Sequence, residues 1–251
     1  MSETIEHSVI NPLKINDDVS DIDQWHEGRL ILINKPLDWT SYDLVHKCKL
    51  ALNYNLGIKK IKIGHAGTLD PKASGLMIIL TGKFTKLTDS IHEYAKNYQA
   101  QIFLGGTTPC YDSERPIDTY YPISHITEGL IRETALKFVG KNIKQYPPIF
   151  SAVRINGKKA YRSAHKGLEV ITRPRFVDIH ELTVRDINLP IINMDIKCSS
   201  GTYIRSLAYD LGGSVGSGAY LYALSRTQIG PWKLGDAMAL DDFVNLLKSS
   251  A

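Results

Sequence analysis

The chain has 251 residues, of which 43% are hydrophobic and 22% are charged, which is the composition of an ordinary globular protein. Thirty basic residues against 26 acidic ones give a formal charge of +4, which permits a nucleic-acid partner without requiring one. The three cysteines are far apart and form no C-x-x-C pair, so we expect neither a disulfide framework nor a cysteine-bound zinc. No apolar run approaches the ~18 residues of a membrane span, and no secretion signal is recognisable, so a cytoplasmic protein is expected.

The first half of the chain opens with a polar, aspartate-rich N-terminal extension at residues 1–28. Thr40 or Ser41 can then cap the first long helix. Residues 58–63 alternate isoleucine with lysine, a pattern that predicts a strand with one wet, basic face. The apolar patterns of this half predict strands at 29–34, 58–63, 76–80 and 98–104, and helices at 41–53 and 83–96.

The second half mixes hairpins with helices. Thr127 can cap a helix that reaches about residue 139, and Gly212 with Gly213 is predicted to end a helix that begins near Thr202. Further strands are predicted at 150–155, 175–187, 191–198 and 220–229, and a last helix at 241–248. This pattern indicates the α+β class, with a mixed, mostly antiparallel central sheet flanked by helices.

Residues 64–75, G-H-A-G-T-L-D-P-K-A-S-G, form the least ordinary stretch, called the motif loop below. A glycine-rich loop can hold phosphate, but neither the Walker spacing nor G-x-G-x-x-G fits here. What remains is one carboxylate, Asp70, on a turn stiffened by Pro71. The pattern leaves two interpretations open, an ordinary turn residue and a catalytic carboxylate.

Other candidate sites are less distinctive. Arg205 could orient such a carboxylate, although a surface arginine on a helix has the same pattern. Asp70 with Asp112 would also suit a two-carboxylate glycosidase. The histidines lack the spacing of zinc ligands, so no metal site is predicted. A basic run suits phosphate contacts or is simply a solvated face, and it consists of Arg154, Lys158, Lys159, Arg162, His165, Lys166, Arg173 and Arg175.

Six segments in order resemble the motifs of the TruB-type tRNA pseudouridine synthases. The motif loop is similar to the active-site motif of that family, whose aspartate is catalytic. The other matching segments are 33–41, similar to N-K-P-x-G-x-T-S; 96–98, similar to K-x-Y; 147–157, similar to P-P-x-x-S-A-x-K-x-x-G; 198–205, with the tyrosine and arginine of the family; and 224–231, its closing motif. Departures are Asp38, Ala66, Arg154 and His165, which stand where glycine, threonine, lysine and arginine are common.

The resemblance implies a pseudouridine synthase catalytic domain over residues 29–235, followed by a short C-terminal helix at 236–251 without a full C-terminal RNA-binding domain. It implies isomerisation of the T-loop uridine at tRNA position 55, with the tRNA T-arm as partner, no cofactor, no metal and a monomeric enzyme. The implied roles are Asp70 as the catalyst, Tyr98 stacked on the flipped uracil, Arg205 paired with Asp70, Tyr203 and Leu224 lining the base pocket, His65 holding the T-loop, and Asp112 near the extruded bases.

Two other functions stay open on the sequence. A non-catalytic RNA-binding protein or tRNA folding chaperone could use the same scaffold, although the retained Asp70, Tyr98 and Arg205 argue for catalysis. A glycosidase or nucleosidase that uses Asp70 with Asp112 would act on small molecules instead.

Overall fold

The computed structural model describes residues 10–150, 154–155, 158–159 and 173–249. The α-helices of this part are α1 (Ile22–Glu27), α2 (Ser41–Leu56), α3 (Thr88–His92), α4 (Glu128–Leu136), α5 (Ile204–Ser214) and α6 (Leu240–Ser249). The strands are β1 (Leu30–Lys35), β2 (Ile63–His65), β3 (Ala73–Thr81), β4 (Lys96–Leu104), β5 (Gly106–Thr107), β6 (Thr119–Tyr120), β7 (Gly140–Gln145), β8 (Arg154–Ile155), β9 (Lys158–Lys159), β10 (Arg175–Asn188), β11 (Ile191–Cys198), β12 (Ala219–Ile229), β13 (Trp232–Lys233) and β14 (Met238–Ala239).

The chain forms two compact units. The terminal unit contains Met1–Lys96 and Ser225–Ala251, and the middle unit contains Asn97–Leu224. Parallel pairing of β1 with β14 beside many antiparallel pairs confirms the predicted α+β class with a mixed sheet. In the part of the chain that the structure describes, every helix is too short or too polar to span a bilayer.

The terminal unit is organised around β1 and β3, which pair antiparallel from Leu30 opposite Leu80 to Lys35 opposite Gly75. The uninterrupted apolar run of β3 is buried on both faces, as expected for a central strand. Helix α2 begins with a capping box, because the Thr40 side chain and the Asp43 side chain each accept the other's backbone N–H. The core that these elements enclose contains Leu30, Leu32, Ala66, Leu76, Ile78, Leu80, Ile91, Ile229 and Trp232.

The middle unit has the strand order β12-β4-β11-β10-β7. Strands β10 and β11 form the predicted hairpin, and alternate residues of β11 are buried, as a half-buried strand requires. Thr127 caps α4 by accepting the backbone N–H of Leu130, as predicted, and the helix packs on β10. The predicted turn at 156–157 lies outside the described residues.

Two predicted elements of the terminal unit are wrong. Residues 58–62 form no strand, and only Ile63 of that segment enters β2. Residues 83–96 do not form one helix, because a 3-10 helix at Gly82–Leu87 precedes the short α3. The hydroxyls of Thr85 and Thr88 donate back to carbonyls three residues earlier, which favours the tighter 3-10 winding.

The predicted end of the helix at Gly212 and Gly213 is also wrong, because α5 continues to Ser214. Gly212 is required for packing, since a Cβ there would lie 2.5 Å from Ala219 Cβ and 2.7 Å from the Gly218 carbonyl carbon. Gly213 has nothing within 4 Å of such a Cβ.

We therefore expect opposite effects from the two adjacent substitutions. Gly212→Ala should lower the free energy of unfolding by about 1–3 kcal/mol through overpacking. Gly213→Ala should raise it by about 0.5–1 kcal/mol, because alanine favours the helix. Urea denaturation of both variants measures the difference, and equal effects would contradict the packing role of Gly212.

Candidate active site

The motif loop places Asp70 on a fixed turn between β2 and β3. The backbone N–H of Ala73 donates to the Asp70 carbonyl at 3.1 Å, which closes a four-residue turn with Pro71 at its second position. At the start of the loop, the Ala66 N–H donates to the Ile78 carbonyl at 3.0 Å. The main chain on both sides of the candidate carboxylate is therefore ordered by its own hydrogen bonds.

The segment that follows β1 forms hydrogen bonds with the same turn. The Ser41 hydroxyl donates to the Leu69 carbonyl and accepts the Leu69 N–H, both at 2.9 Å. The Asp38 N–H donates to the Pro71 carbonyl at 2.9 Å. Residues immediately before and after the candidate carboxylate are thus hydrogen-bonded to the segment at 33–41.

Asp38 stands where the family motif has glycine, and its backbone adopts the conformation that glycine favours, with φ +64°. Left-handed backbone costs a non-glycine residue about 1–2 kcal/mol, although aspartate is among the residues that tolerate it. The Asp38 carboxylate also accepts a hydrogen bond from Lys72 Nζ at 2.6 Å. The departure from glycine therefore keeps the turn and adds a surface ion pair to the motif loop.

Arg226 clamps the motif loop from β12. Its side chain is 1% exposed, and its guanidinium donates to the carbonyls of Leu76 at 2.8 Å, Gly67 at 3.2 Å and Thr68 at 3.3 Å. Gly75 lets the strands approach, since a Cβ there would lie 2.6 Å from the Arg226 backbone nitrogen. One buried arginine thus binds three carbonyls on the two sides of Asp70.

Lys35 is a buried cation at the end of β1. It is fully buried, and its Nζ donates to the carbonyls of Pro36 at 2.8 Å and Trp39 at 2.6 Å. Burial lowers the pKa of Lys35 from 10.5 to about 8, while the charge of Asp70 acts in the opposite direction. The candidate carboxylate therefore has a lysine in its electrostatic surroundings that is close to titration at neutral pH.

Lys35 gives a pH prediction. Between pH 8 and 10.5 the unfolded chain binds more protons than the folded protein, so stability rises with pH across this window. We expect the rise to be about 3 kcal/mol and to be absent in Lys35→Met, whose overall stability is lower. Urea denaturation at intervals of pH measures both curves, and identical slopes for the two proteins would contradict the assignment.

His65 lies at the end of β2, where it is half-buried and close to the charge of Arg226. Burial, and next the charge of Arg226, hold the pKa of His65 below its ordinary value of 6.5. A hydrogen bond with the Gly67 backbone partly opposes this effect, and His92 adds a smaller lowering. The imidazole is therefore neutral at neutral pH and suited to hydrogen bonding rather than ion pairing.

In the middle unit, Arg205 forms a buried ion pair. It lies on α5 and is 5% exposed, so the interpretation as a surface arginine is wrong. Its Nη1 is 3.5 Å from Asp112 Oδ2 and donates to the carbonyls of Cys110 at 3.2 Å and Phe150 at 3.0 Å. A guanidinium with several fixed acceptors keeps one orientation, which suits a positioning role.

Asp112 is held as firmly as its partner. It is 3% exposed, its Oδ1 accepts the Glu114 N–H at 2.9 Å, and its carbonyl accepts the Thr108 hydroxyl at 2.7 Å. The residue also forms a parallel β-bridge with Leu221 of β12. These contacts explain Asp112 as a residue that orients Arg205.

The remaining predicted site residues of the middle unit lie within regular elements or directly beside them. Tyr98 is near the start of β4 and 9% exposed. Tyr203 occupies the N-cap position of α5, and the Gln145 side-chain amide accepts its N–H at 3.0 Å and donates to its carbonyl at 3.2 Å. Leu224 is half-buried in β12. Their backbone positions are therefore set by regular structure rather than by loops.

The predicted site residues are divided between the two units. Asp70 and His65 belong to the terminal unit, and the other five to the middle unit. The predicted pairing of Asp70 with Arg205 would join the units and stays a prediction. Most side chains of the basic run, including Lys158 and Arg162, lie outside the described residues, while Arg173 and Arg175 are exposed. Sequence reasoning missed Lys35, Ser41 and Arg226, whose only signal was their place inside recognised motifs.

Comparison with known proteins identifies similar sequences over most of the chain. Residues 54–204 match the sequence profile described as TruB family pseudouridylate synthase (N terminal domain). The chain is 48% identical over 220 residues to tRNA pseudouridine synthase B of Parabacteroides distasonis, covering 86% of this chain and 93% of that protein. It is 45% identical over 227 residues to the protein of the same name from Flavobacterium johnsoniae, covering 90% and 99%.

Solved structures are similar as well. A crystal structure of a Cbf5-Nop10-Gar1 complex matches with a TM-score of 0.67 and 28% identity over 88% of this chain. The structure of an H/ACA RNP bound to a substrate RNA containing 2′-deoxyuridine matches with a TM-score of 0.63 and 26% identity over 86%. The chain spans about half of those two longer chains, 54% and 52% respectively.

Proposed function

We propose that this chain, which belongs to the TruB family of pseudouridylate synthases, converts the T-loop uridine of tRNA to pseudouridine with Asp70 as its catalytic residue. The activity itself, that of a tRNA pseudouridine synthase, follows from relatives of that name that are 39–48% identical over most of the chain. The enzyme is an isomerase whose substrate is RNA. The T-loop uridine and the catalytic aspartate are our proposal.

The observation that carries the proposal is the immobilised position of Asp70. Its neighbours Leu69 and Pro71 are bonded to Ser41 and Asp38, and Arg226 binds the loop on both sides. An ordinary surface turn needs no such support. A catalytic carboxylate does, because small errors in its position lower the rate steeply.

The chemistry requires a carboxylate, an aromatic floor and little else. The C1′–N1 bond of the uridine breaks, the freed uracil turns, and C1′ joins C5. The C5 proton then leaves to a base and N1 takes up a proton, so the product is an isomer of the substrate. Asp70 acts as the nucleophile that bonds to the nucleotide and leaves again. Since atoms are only rearranged, the residues of the chain suffice without an added group.

The other site residues are proposed to hold the extruded nucleotide. Flipping a base out of its stack costs a few kcal/mol, and stacking on the Tyr98 ring can return ~1–3 kcal/mol. Tyr203 and Leu224 would pack around the uracil, and neutral His65 would bond to the T-loop. Arg205, oriented by Asp112, completes the proposed substrate-binding set.

The reaction is tested with a tRNA transcript that carries tritium at C5 of every uridine. We expect release of about one tritium per tRNA, and none from a transcript whose T-loop target is replaced by cytidine. Release from both transcripts would place the modified uridine elsewhere. We also propose that the protein is a monomer and acts in the cytoplasm, where tRNA matures. Light scattering of the purified protein tests the monomeric state.

A further inference from the structure

Two tyrosines are stacked beside the buried ion pair of the middle unit, and we call them the tyrosine pair: Tyr111 and Tyr209. Their ring centroids are 4.0 Å apart, and the ring planes are inclined by 19°. Tyr111 immediately precedes Asp112, and Tyr209 lies on α5 about one turn after Arg205. The segment that carries the acid and the helix that carries the arginine therefore meet at two places, once through the ion pair and once through the rings.

Three consecutive residues of that segment contact α5. Arg205 Nη1 donates to the Cys110 carbonyl at 3.2 Å and lies 3.5 Å from Asp112 Oδ2. Tyr111, which lies between them in the chain, contacts Tyr209 instead. Because two of the groups that orient the guanidinium belong to this segment, a shift of the segment along α5 would move the guanidinium with it.

The backbone of Tyr111 adopts an uncommon conformation. Its φ is +64°, a left-handed value that is an outlier for a residue with a bulky side chain. Its N–H donates to the Thr108 carbonyl at 3.1 Å, and its carbonyl accepts the Leu221 N–H at 2.9 Å. In a regular strand successive side chains point to opposite faces, whereas here those of Tyr111 and Asp112 both contact α5. An unfavourable conformation that persists next to a site residue points to a role in function.

The tyrosine pair lies at the surface and is not part of the core. Tyr209 is 37% exposed, and Tyr111 is half-buried. The ion pair beside them is buried, since Arg205 is 5% exposed and Asp112 is 3% exposed. Partly exposed side chains contribute little to overall stability, so the fold alone does not explain the stacked rings. Their effect is therefore mainly on the neighbouring segment.

The hydroxyl of Tyr111 stays protonated at neutral pH. Burial, and next the ionisable groups of Tyr209 and Asp210, raise the pKa of Tyr111 from 10 to about 12. A hydrogen bond with the Tyr209 side chain acts in the same direction. The contact between the two rings therefore does not depend on the ionisation of Tyr111 under ordinary assay conditions.

We propose that Tyr111 and Tyr209 are positioning residues for pseudouridine formation. Their stacked rings fix the segment 110–112 against α5, so that Arg205 keeps the orientation in which it holds the extruded nucleotide. The inference rests on the proposed function, because it adds two residues that act through Arg205 to the proposed substrate-binding set. Small errors in the position of such a group lower the rate steeply, which is why a second contact beside the ion pair matters.

The test compares three substitutions in the middle unit. Tyr209→Ala removes the ring, and Tyr209→Phe keeps the ring without its hydroxyl. The control is Tyr120→Ala, which removes a tyrosine that is 76% exposed and outside the pair. Tritium release from tRNA labelled at C5 of every uridine gives kcat and KM for each protein, and urea denaturation gives its stability.

Tyr209→Ala should lower kcat by about ten- to a hundredfold and leave KM within about twofold of the wild type, because the other RNA contacts are unchanged. Tyr209→Phe and Tyr120→Ala should keep the wild-type kcat. An unchanged kcat in Tyr209→Ala overturns the proposal. An equal loss in Tyr209→Phe also overturns it, since the ring stack is then not the cause. A raised KM with unchanged kcat would make Tyr209 an RNA contact and not a positioning residue.

A double-mutant cycle tests whether the pair acts through Arg205. In Arg205→Lys the guanidinium is already absent, so adding Tyr209→Ala should lower kcat by less than about twofold more. The full loss in both backgrounds overturns the proposal, and this outcome is also the one expected if Tyr209→Ala only weakens the fold. If tritium release persists on the transcript whose T-loop target is cytidine, the proposed function fails, while the same comparison of variants still decides the role of the tyrosine pair.

Discussion

Asp70→Asn should abolish pseudouridine formation, with a rate loss on the order of 10⁴-fold or more, while tRNA binding stays close to that of the wild type. Asparagine has nearly the same shape as aspartate, and the turn depends on the Asp70 main chain, which the substitution leaves intact. The amide lacks the charge and the nucleophilic oxygen that the reaction needs. Tritium release from C5-labelled tRNA measures turnover, and anisotropy measures binding.

The matched control is Asp241→Asn, an exposed aspartate in the first turn of α6. This variant loses the same charge from the terminal unit and should keep wild-type turnover. A tenth or more of wild-type activity in Asp70→Asn would rule out the catalytic role. Loss of tRNA binding with an unchanged circular dichroism spectrum would instead make Asp70 a binding residue.

Arg226→Met should produce the largest loss of stability of any change in the motif region. The variant leaves the buried carbonyls of Gly67 and Leu76 without the guanidinium donor, and the more exposed carbonyl of Thr68 loses it as well. Each unsatisfied buried group costs about 1–3 kcal/mol, so we expect the free energy of unfolding to fall by about 3–5 kcal/mol. Urea denaturation measures the change, and turnover should fall as well, because the loop that carries Asp70 loses its support.

Lys83→Met is the comparison for a surface cation. Its partner Glu27 and the lysine itself are both about two-thirds exposed, so the loss should stay below about 1 kcal/mol. If Arg226→Met unfolds at the same urea concentration as Lys83→Met, the arginine clamp does not stabilise the motif loop. Arg226→Lys should recover only part of the loss, since one ammonium group cannot reproduce the spacing of the guanidinium donors.

Much of the fold was predictable because hydrophobic periodicity reports burial directly. The alternation in β10 and β11 and the apolar run of β3 are local patterns with one simple explanation each. The wrong strand at 58–63 shows the limit of such patterns. Isoleucine alternates with lysine there, yet a strand also needs a partner, and the spacing of apolar residues contains no information about one.

The candidate site was also predictable only in part. Asp70 was identified by the resemblance of a contiguous motif, and its turn by the proline that follows it. The supporting contacts of Ser41 and Arg226 were not predictable, because their acceptors are backbone carbonyls 28 and 150 positions away in the chain. A carbonyl acceptor is present at every residue, so the sequence gives no sign of which one a side chain binds.

The division of the chain between two units has a consequence for biosynthesis. The middle unit is one continuous stretch, so it can fold as soon as the ribosome has released it. The terminal unit is interrupted, and it lacks Arg226, Trp232 and α6 until residues 225–249 have been made. A nascent or prematurely terminated chain therefore carries Asp70 without the arginine that fixes its loop. The support of the motif loop is therefore the last part of the terminal unit to be synthesised.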